Sequence, residues 1–330
     1  MKKKSIALVA AAVIALSGCA TDGGDTPNEE GGAATITHAF GETELPSNPE
    51  RVVTLGWGSA DAALALGVVP VGMEAQTYGA NEDGVLPWIA EELEELGAET
   101  PTMFPATTEE PAYEEIVELE PDLILAVYSG ITEEQYEVLS DIAPTVAYPD
   151  EAWTTPWREV ATMVGESLGM AEEAEAIVAD VEETLVEQAE AHPELEGKTV
   201  AAIWDVAGTF YVYRAADPRV EFLFGLGLEN APAVDELANG ESTFYYTLSY
   251  EQLDLLESDL IVNYSDTEEA AETFLAQPYA QSIPAVANGG VANVIGSDLI
   301  AAVSPPTVLS MTWGVEEYVG ILAEAAAAID

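Results

Sequence analysis

The stretch YEEIVELEPDLILAV at residues 113–127 returns as YEQLDLLESDLIVNY at residues 250–264. Seven of the fifteen positions are identical: Tyr, two Glu, two Leu, Asp and Ile. Each copy reads as a short helix, an acidic turn and an apolar run of strand length. A helix–turn–strand unit used twice, far apart in one chain, predicts two similar α/β halves rather than one enlarged core.

Working outward from the first copy, strands are expected at 51–56, 68–73, 123–128 and 145–148. Helices fall at 59–66, 110–119 and 132–143, with Ser59 as a plausible N-cap. Strands alternating with helices imply a mostly parallel sheet covered by helices. Next comes a helical stretch over 156–191. Val160, Met163, Val164, Leu168, Ile177, Val181, Leu185 and Val186 recur in it at helical spacing, opposite a carboxylate face. Gly169 offers a place to bend, and His192-Pro193 ends the run. A second series follows at 199–205, 210–214, 220–226, 250–256, 260–263 and 292–295, with a last helix over 306–329. The fold class is therefore α/β: two Rossmann-like lobes with mostly parallel sheets, joined by a long helical strut. The lobes span 36–155 and 193–330, and a bridging helix spans 156–192.

The chain before residue 36 has a different composition. Lys2, Lys3 and Lys4 precede an apolar run over 6–16. That is the basic region and short hydrophobic core of a secretory signal over residues 1–18. Eleven residues fall short of the roughly 20 needed to span a bilayer. Leu16-Ser17-Gly18-Cys19 resembles the bacterial lipobox, which implies lipidation of Cys19, the single cysteine of the chain. Residues 19–35 are polar and glycine-rich and read as a disordered tether. The expected location is the extracellular face of the cytoplasmic membrane, with the lipid as the only membrane contact.

Beyond the signal, five basic residues face 61 carboxylates: Arg51, Arg158, Lys198, Arg214 and Arg219. Nucleic-acid binding works by cationic side chains displacing counterions from phosphates, so that class is excluded. Polybasic attraction to anionic lipid is excluded too. Such a surface repels itself in low salt and suits a saline habitat. The two histidines, His38 and His192, lie in no metal-ligand spacing. No phosphate loop or dinucleotide fingerprint occurs, and no serine is expected in a nucleophile elbow. Catalysis, a resident cofactor and a directly bound metal are therefore not expected.

With these features in view, the chain resembles the siderophore- and cobalamin-binding substrate-binding proteins of ABC importers. The carriers are THAFGETELPSNPERVVTLGWGSADAALALGVVPVG at 37–72, the two repeat copies, the strut and SPPTVLSMTWGVEEYV at 304–319. The resemblance implies a monomeric, lipid-anchored protein that holds a ferric siderophore between its lobes. It would deliver that cargo to a permease and ATPase complex. Cobalamin or haem is the alternative cargo of the same fold, and a surface lipoprotein without transport the alternative role.

Ligands of open α/β sheets bind outside the carboxyl ends of the strands. That rule selects Trp57, Tyr128, Ser129, Arg214, Tyr245 and Tyr246, with Trp153, Tyr264, Ser304 and Trp313 behind them. Tyr113 and Tyr250 read as packing residues. Arg214 stands out because bases are scarce and it follows a strand; a guanidinium there could donate to hydroxamate oxygens, or equally form a salt bridge to Asp217 or Glu221. Arg219 reads as a partner for nearby carboxylates. A ferric tris-catecholate carries about three negative charges, which this chain would repel, whereas a neutral or cationic ferric hydroxamate suits it better. The resemblance also implies one glutamate per lobe for docking to permease arginines. The matching positions here are Glu114 and Glu251.

Overall fold

The computed structural model of the protein describes residues 34–106 and 110–329. The expected signal peptide and Cys19 lie outside the described residues. So does the expected tether, except for its last two positions: Thr35, placed in it, already belongs to the first strand.

A hairpin of β1 (Thr35–His38) and β2 (Gly41–Glu44) opens the first lobe. There follow β3 (Val52–Thr54), α1 (Ser59–Ala65), β4 (Gly72–Glu74), α2 (Pro87–Glu95) and β5 (Thr102–Phe104). The lobe closes with α3 (Tyr113–Glu118), β6 (Leu123–Ala126), α4 (Glu133–Ile142) and β7 (Thr145–Ala147). Its sheet runs β5-β4-β3-β6-β7, and every pairing is parallel. The central strands are apolar on both faces, as a sheet covered twice demands: Val53, Leu123, Ile124 and Leu125 are fully buried.

The strut forms as a helical hairpin, not as the single bridging helix expected over 156–192. Helices α5 (Trp157–Leu168) and α6 (Ala171–Ala191) are broken at Gly169, whose φ is 72°. They run back along each other: Gly165 abuts Ala174, and Arg158 Nε meets Glu182 Oε1 at 2.5 Å. A Cβ on Gly165 would lie 2.2 Å from the Ala174 Cβ, so the close approach needs that glycine. The longer arm, α6, is about 30 Å at 1.5 Å per residue and carries the chain to the second lobe. Val160, Val164, Val181 and Leu185 tie both arms into one core that includes strand residues of both sheets.

The second lobe contains β8 (Thr199–Val206), β9 (Thr209–Tyr213), α7 (Pro218–Gly225), β10 (Glu229–Asn230), α8 (Pro232–Glu236) and β11 (Tyr245–Leu248). A 3₁₀ turn over Tyr250–Leu255 leads to β12 (Leu260–Ser265), α9 (Glu268–Leu275), α10 (Pro284–Asn288) and β13 (Val291–Ile295). The chain ends in α11 (Ser297–Ala302) and α12 (Val308–Ala327). The sheet order is β11-β9-β8-β12-β13, with β10 beside β8. Pairings of β8 with β10 and β12, and of β12 with β13, are parallel; β8–β9 and β9–β11 are antiparallel. The reversal is made by Ala207 and Gly208, with φ of 52° and 78°. A two-residue turn with both residues left-handed is the kind that matches strand twist.

The repeat does the same structural work in both lobes. Asp122 accepts the backbone N–H groups of Glu50 and Arg51 at 2.8 and 2.9 Å, where the chain enters β3. Asp259, its counterpart, accepts the N–H and hydroxyl of Thr199 at the start of β8, both at 2.8 Å. These hydrogen bonds hold the Asp259 carboxyl below its ordinary pKa. In each lobe the acidic turn of the repeat therefore fastens the first strand of the sheet.

Candidate binding cleft

In the first sheet the chain builds β3, β4 and β5 to one side, then returns to place β6 on the other side of β3. The loops after β3 and β6 therefore diverge at the switch point, where a crevice opens. Trp57 follows β3 and Tyr128 follows β6, and the Trp57 N–H donates to the Tyr128 carbonyl at 2.9 Å.

The second lobe presents the face of its sheet to this crevice. Side chains alternate along a strand, and directly paired residues share a face. Tyr245 pairs with Tyr213, Tyr211 with Trp204, and Trp204 with Tyr264. These five aromatics thus lie on one face. The other face carries Ile203, Phe210, Val212 and Tyr246 into a separate core.

Between the lobes lies a cleft of about 500 Å³. Tyr128 and Trp153 wall it on the first lobe; Tyr211, Tyr213, Phe244 and Tyr245 wall it on the second. Trp153 is half exposed and holds a φ of 63°, a strained value for a bulky residue. Its ring packs edge-to-face with Tyr128 at 5.7 Å and lies against Gly130, where a Cβ would stand 2.2 Å from its Nε1.

Among the described residues lining this cleft, Arg219 is the one basic group and Asp217 the one carboxylate. Arg219 Nε lies 2.7 Å from Asp217 Oδ1, an ion pair whose N–H is not aligned as a hydrogen bond. The guanidinium also stacks over the Tyr213 ring at 3.9 Å. Burial pushes the Asp217 carboxyl up, with Arg219 opposing. Burial, with help from Asp217, also raises the Tyr128 phenol to about 12. At neutral pH the phenol is protonated and can donate.

A second cavity, of about 300 Å³, lies beside the first and shares Tyr128, Pro218, Phe244 and Pro305 with it. Trp57 lines this one, and its indole N–H is already given to the Pro305 carbonyl at 2.9 Å.

Measured against the sequence-based candidates, Tyr128 and Tyr245 line the main cleft, as do Trp153 and Ser304, whereas Trp57 lines the second cavity. Three candidates are corrected. Ser129 is buried with its hydroxyl donated to the Ala126 carbonyl at 2.8 Å. Tyr246 is fully buried on the far face of the sheet, as the strand alternation requires. Arg214 follows Tyr213 and so also turns away: it donates to the Ser242 carbonyl at 3.2 Å and lines neither cavity. The carboxyl-end argument failed for it because it ignored alternation: the end of β9 does reach the cleft, but through Tyr213, which leaves the next side chain on the opposite face. Tyr264 is buried and bonded to Tyr318 at 3.0 Å, and Trp313 packs on Trp88. Tyr211, Tyr213, Phe244, Asp217 and the cleft role of Arg219 were missed. The Val-Ala-Gly-Thr turn and the alternation in TFYVY were the available signals.

Against the expectation of no serine elbow spacing, Gly165-Glu166-Ser167-Leu168-Gly169 has it. Ser167 is nevertheless buried within α5, its hydroxyl donated to the Met163 carbonyl at 2.6 Å. It lacks the exposed strand-to-helix turn of a nucleophile. His38 is buried against Thr43 and Tyr136. Among the described residues, no group of three His, Cys, Asp or Glu gathers to hold a metal, and no helix is long and apolar enough to cross a membrane.

Residues 52–294 match the family described as periplasmic binding protein. A crystal structure of PiaA from Streptococcus pneumoniae in complex with ferrichrome superposes with a TM-score of 0.79. It is 36% identical and covers 90% of this chain and 99% of its own. A probable siderophore-binding lipoprotein of Bacillus subtilis, YfiY, is 29% identical over 61% of this chain and 59% of its own length. The match thus spans about three fifths of that relative. The Fe(3+)-citrate-binding protein YfmC of the same organism is 23% identical over 87% of this chain and 86% of its own.

Proposed function

The chain belongs to the periplasmic binding protein family, and we propose that it is the ferric-siderophore receptor of an ABC importer. It is a binding protein, not an enzyme. The cargo is a neutral or cationic ferric hydroxamate, held between the lobes and passed to a permease and ATPase complex. The protein acts as a monomer on the outer face of the cytoplasmic membrane, anchored through lipidated Cys19. The lipoprotein among its relatives supports the anchor, and PiaA, solved with ferrichrome, supports the hydroxamate class.

One observation carries the choice of ligand. In a chain of 61 carboxylates the cleft is walled by aromatic rings, and its one carboxylate is paired with its one guanidinium. Ring faces suit the apolar perimeter of a hydroxamate chelate. The remaining N–H groups of Arg219 and the Tyr128 phenol can donate to its oxygens. Trp153 closes over the cleft from the first lobe. A triply charged catecholate would find one base already neutralised inside a strongly anionic molecule.

The test is tryptophan fluorescence quenching. Ferrioxamine B or ferrichrome is expected to bind at least about tenfold more tightly than a ferric tris-catecholate. Equal or reversed affinities would sink the assignment.

A further inference from the structure

We infer that the 300 Å³ cavity beside the main cleft is a second subsite, which takes an apolar acyl arm of the iron chelate. The inference rests on the siderophore reading above and adds the shape of the cargo to it.

The cavity lies where the two lobes meet the strut. Trp57 stands on one side, Phe222 and Phe224 on the other, and Trp157 and Leu185 of the strut line it as well. It adjoins the main cleft at Tyr128 and Phe244, which line both. A chelate seated on the aromatic wall therefore lies next to a space sized for a substituent rather than for a second iron centre.

Apart from the Tyr128 phenol and the Trp157 indole N–H, most polar side chains of the lining are already engaged or reach solvent. Thr155 donates to the Val127 carbonyl at 2.8 Å, Thr154 to that of Glu151 at 2.9 Å, and Thr307 to Asp61 at 2.5 Å. Arg158 is paired with Glu182 and lies over the Trp157 ring. Glu221 is exposed, so its carboxylate can stay in solvent. Water inside would find few partners, and a buried water needs two to four of them. Such a space favours hydrocarbon, and each methylene placed in it tightens binding by several-fold.

Gly225, the last residue of α7, provides a specific plug. It lines the cavity, its φ is not in the left-handed region, and a Cβ built on it meets nothing within 4 Å. Gly225 is exposed, so Gly225→Leu adds an apolar side chain at the rim of the cavity from a Cβ position that meets no neighbour. Ala216, exposed at another part of the lining, allows a second plug, Ala216→Phe, should the first variant fold poorly.

The experiment compares ferrioxamine B acylated at its free amine with acetyl or with hexanoyl, titrated by fluorescence quenching. The hexanoyl chelate is expected to bind wild type at least about tenfold more tightly than the acetyl one. In Gly225→Leu or Ala216→Phe that advantage should fall to within twofold, with acetyl affinity unchanged within about threefold. Equal affinity of both chelates for wild type overturns the subsite and leaves the siderophore reading standing. A hexanoyl advantage that survives both plugs places the arm elsewhere and overturns it too. Equal weakening of both chelates by a plug makes the cavity working space for lobe closure, again overturning the subsite. Binding of neither chelate by wild type defeats the siderophore reading itself.

Discussion

Arg219 and Arg214 lie five positions apart, and their fates show what one residue can carry. Arg219 is mostly buried, stacked on Tyr213 and balanced by Asp217 at the cleft wall. Arg214 turns to the opposite face and binds a backbone carbonyl. Replacing Arg219 with Ala should weaken ferric hydroxamate binding by about 1.5–3 kcal/mol, the scale of hydrogen bonds from a charged group. Arg219→Lys should recover only part of this, since an ammonium keeps the charge but not the planar stack. Arg214→Ala should leave affinity within a factor of two. Fluorescence titration of the three variants decides; a large loss with Arg214→Ala and none with Arg219→Ala would reverse the assignment. The scarcity of bases pointed to Arg214, whereas Arg219 is the one that lines the cleft. The choice depends on which face of β9 meets the other lobe, and that is fixed by the sheet pairing rather than by local sequence. Tyr245 and Tyr246 are a similar case: adjacency guarantees opposite faces, but only the sheet pairing says which face meets the cleft.

At the scale of elements, the lobes are joined by more than the strut. Asp61 on α1 accepts the indole N–H of Trp88 on α2 at 2.6 Å and the hydroxyl of Thr307 at 2.5 Å. Thr307 is the N-cap of α12 and completes a capping box with Ser310. One buried carboxylate thus fastens two helices of the first lobe to the last helix of the chain. Asp61→Ala orphans two buried donors, at about 1–3 kcal/mol each. Urea unfolding should show a loss of about 2–4 kcal/mol, whereas Asp61→Asn, which keeps an acceptor oxygen, should lose less. Burial raises the Asp61 pKa above its ordinary 3.8. The fold therefore binds this proton more tightly than the unfolded chain does. Its contribution to stability is greatest in acid and falls as pH rises through that window. The stability difference between Asp61→Asn and wild type should accordingly shift in favour of Asn as pH rises from about 3.8; a flat difference would mean Asp61 does not titrate differently in the fold. Nothing in the sequence pointed to this clamp, whose members lie 246 positions apart. The strut was half legible for a related reason. Apolar spacing identifies helix along 157–191, but a Gly-to-Ala contact between its arms is tertiary information that periodicity does not contain.

At the scale of the molecule, a receptor this acidic must still find one partner surface and orient on it. Long-range repulsion from anionic lipid offers no orientation, so it has to come from discrete contacts. The repeat supplies a matched pair. Glu114 stands exposed in the first turn of α3, and Glu251 stands exposed at the start of the 3₁₀ turn in the second lobe. Their Tyr neighbours are half-buried, Tyr113 against the first lobe's core and Tyr250 with its hydroxyl on Asp205 at 2.6 Å. Each glutamate is thereby set on an anchored residue. The repeat aspartates Asp122 and Asp259 further down fasten each unit to its sheet, and the strut core joins the two sheets. A fixed spacing between two carboxylates can read two basic pockets on a permease, where a charge-assisted pair at each end gives register. The helix dipole also favours a glutamate in a first helical turn. The decisive comparison is transport against binding. Glu114→Ala or Glu251→Ala should leave chelate affinity unchanged within twofold and reduce iron uptake severalfold, and the double variant should nearly abolish uptake. Charge reversal to Arg should act more strongly than Ala at either position, because it adds repulsion from a basic pocket to the lost pair. Normal uptake by the Glu114/Glu251 double variant, at wild-type levels on the cell surface, would falsify the pairing, since lobe geometry and cargo binding would be intact while both contacts were gone.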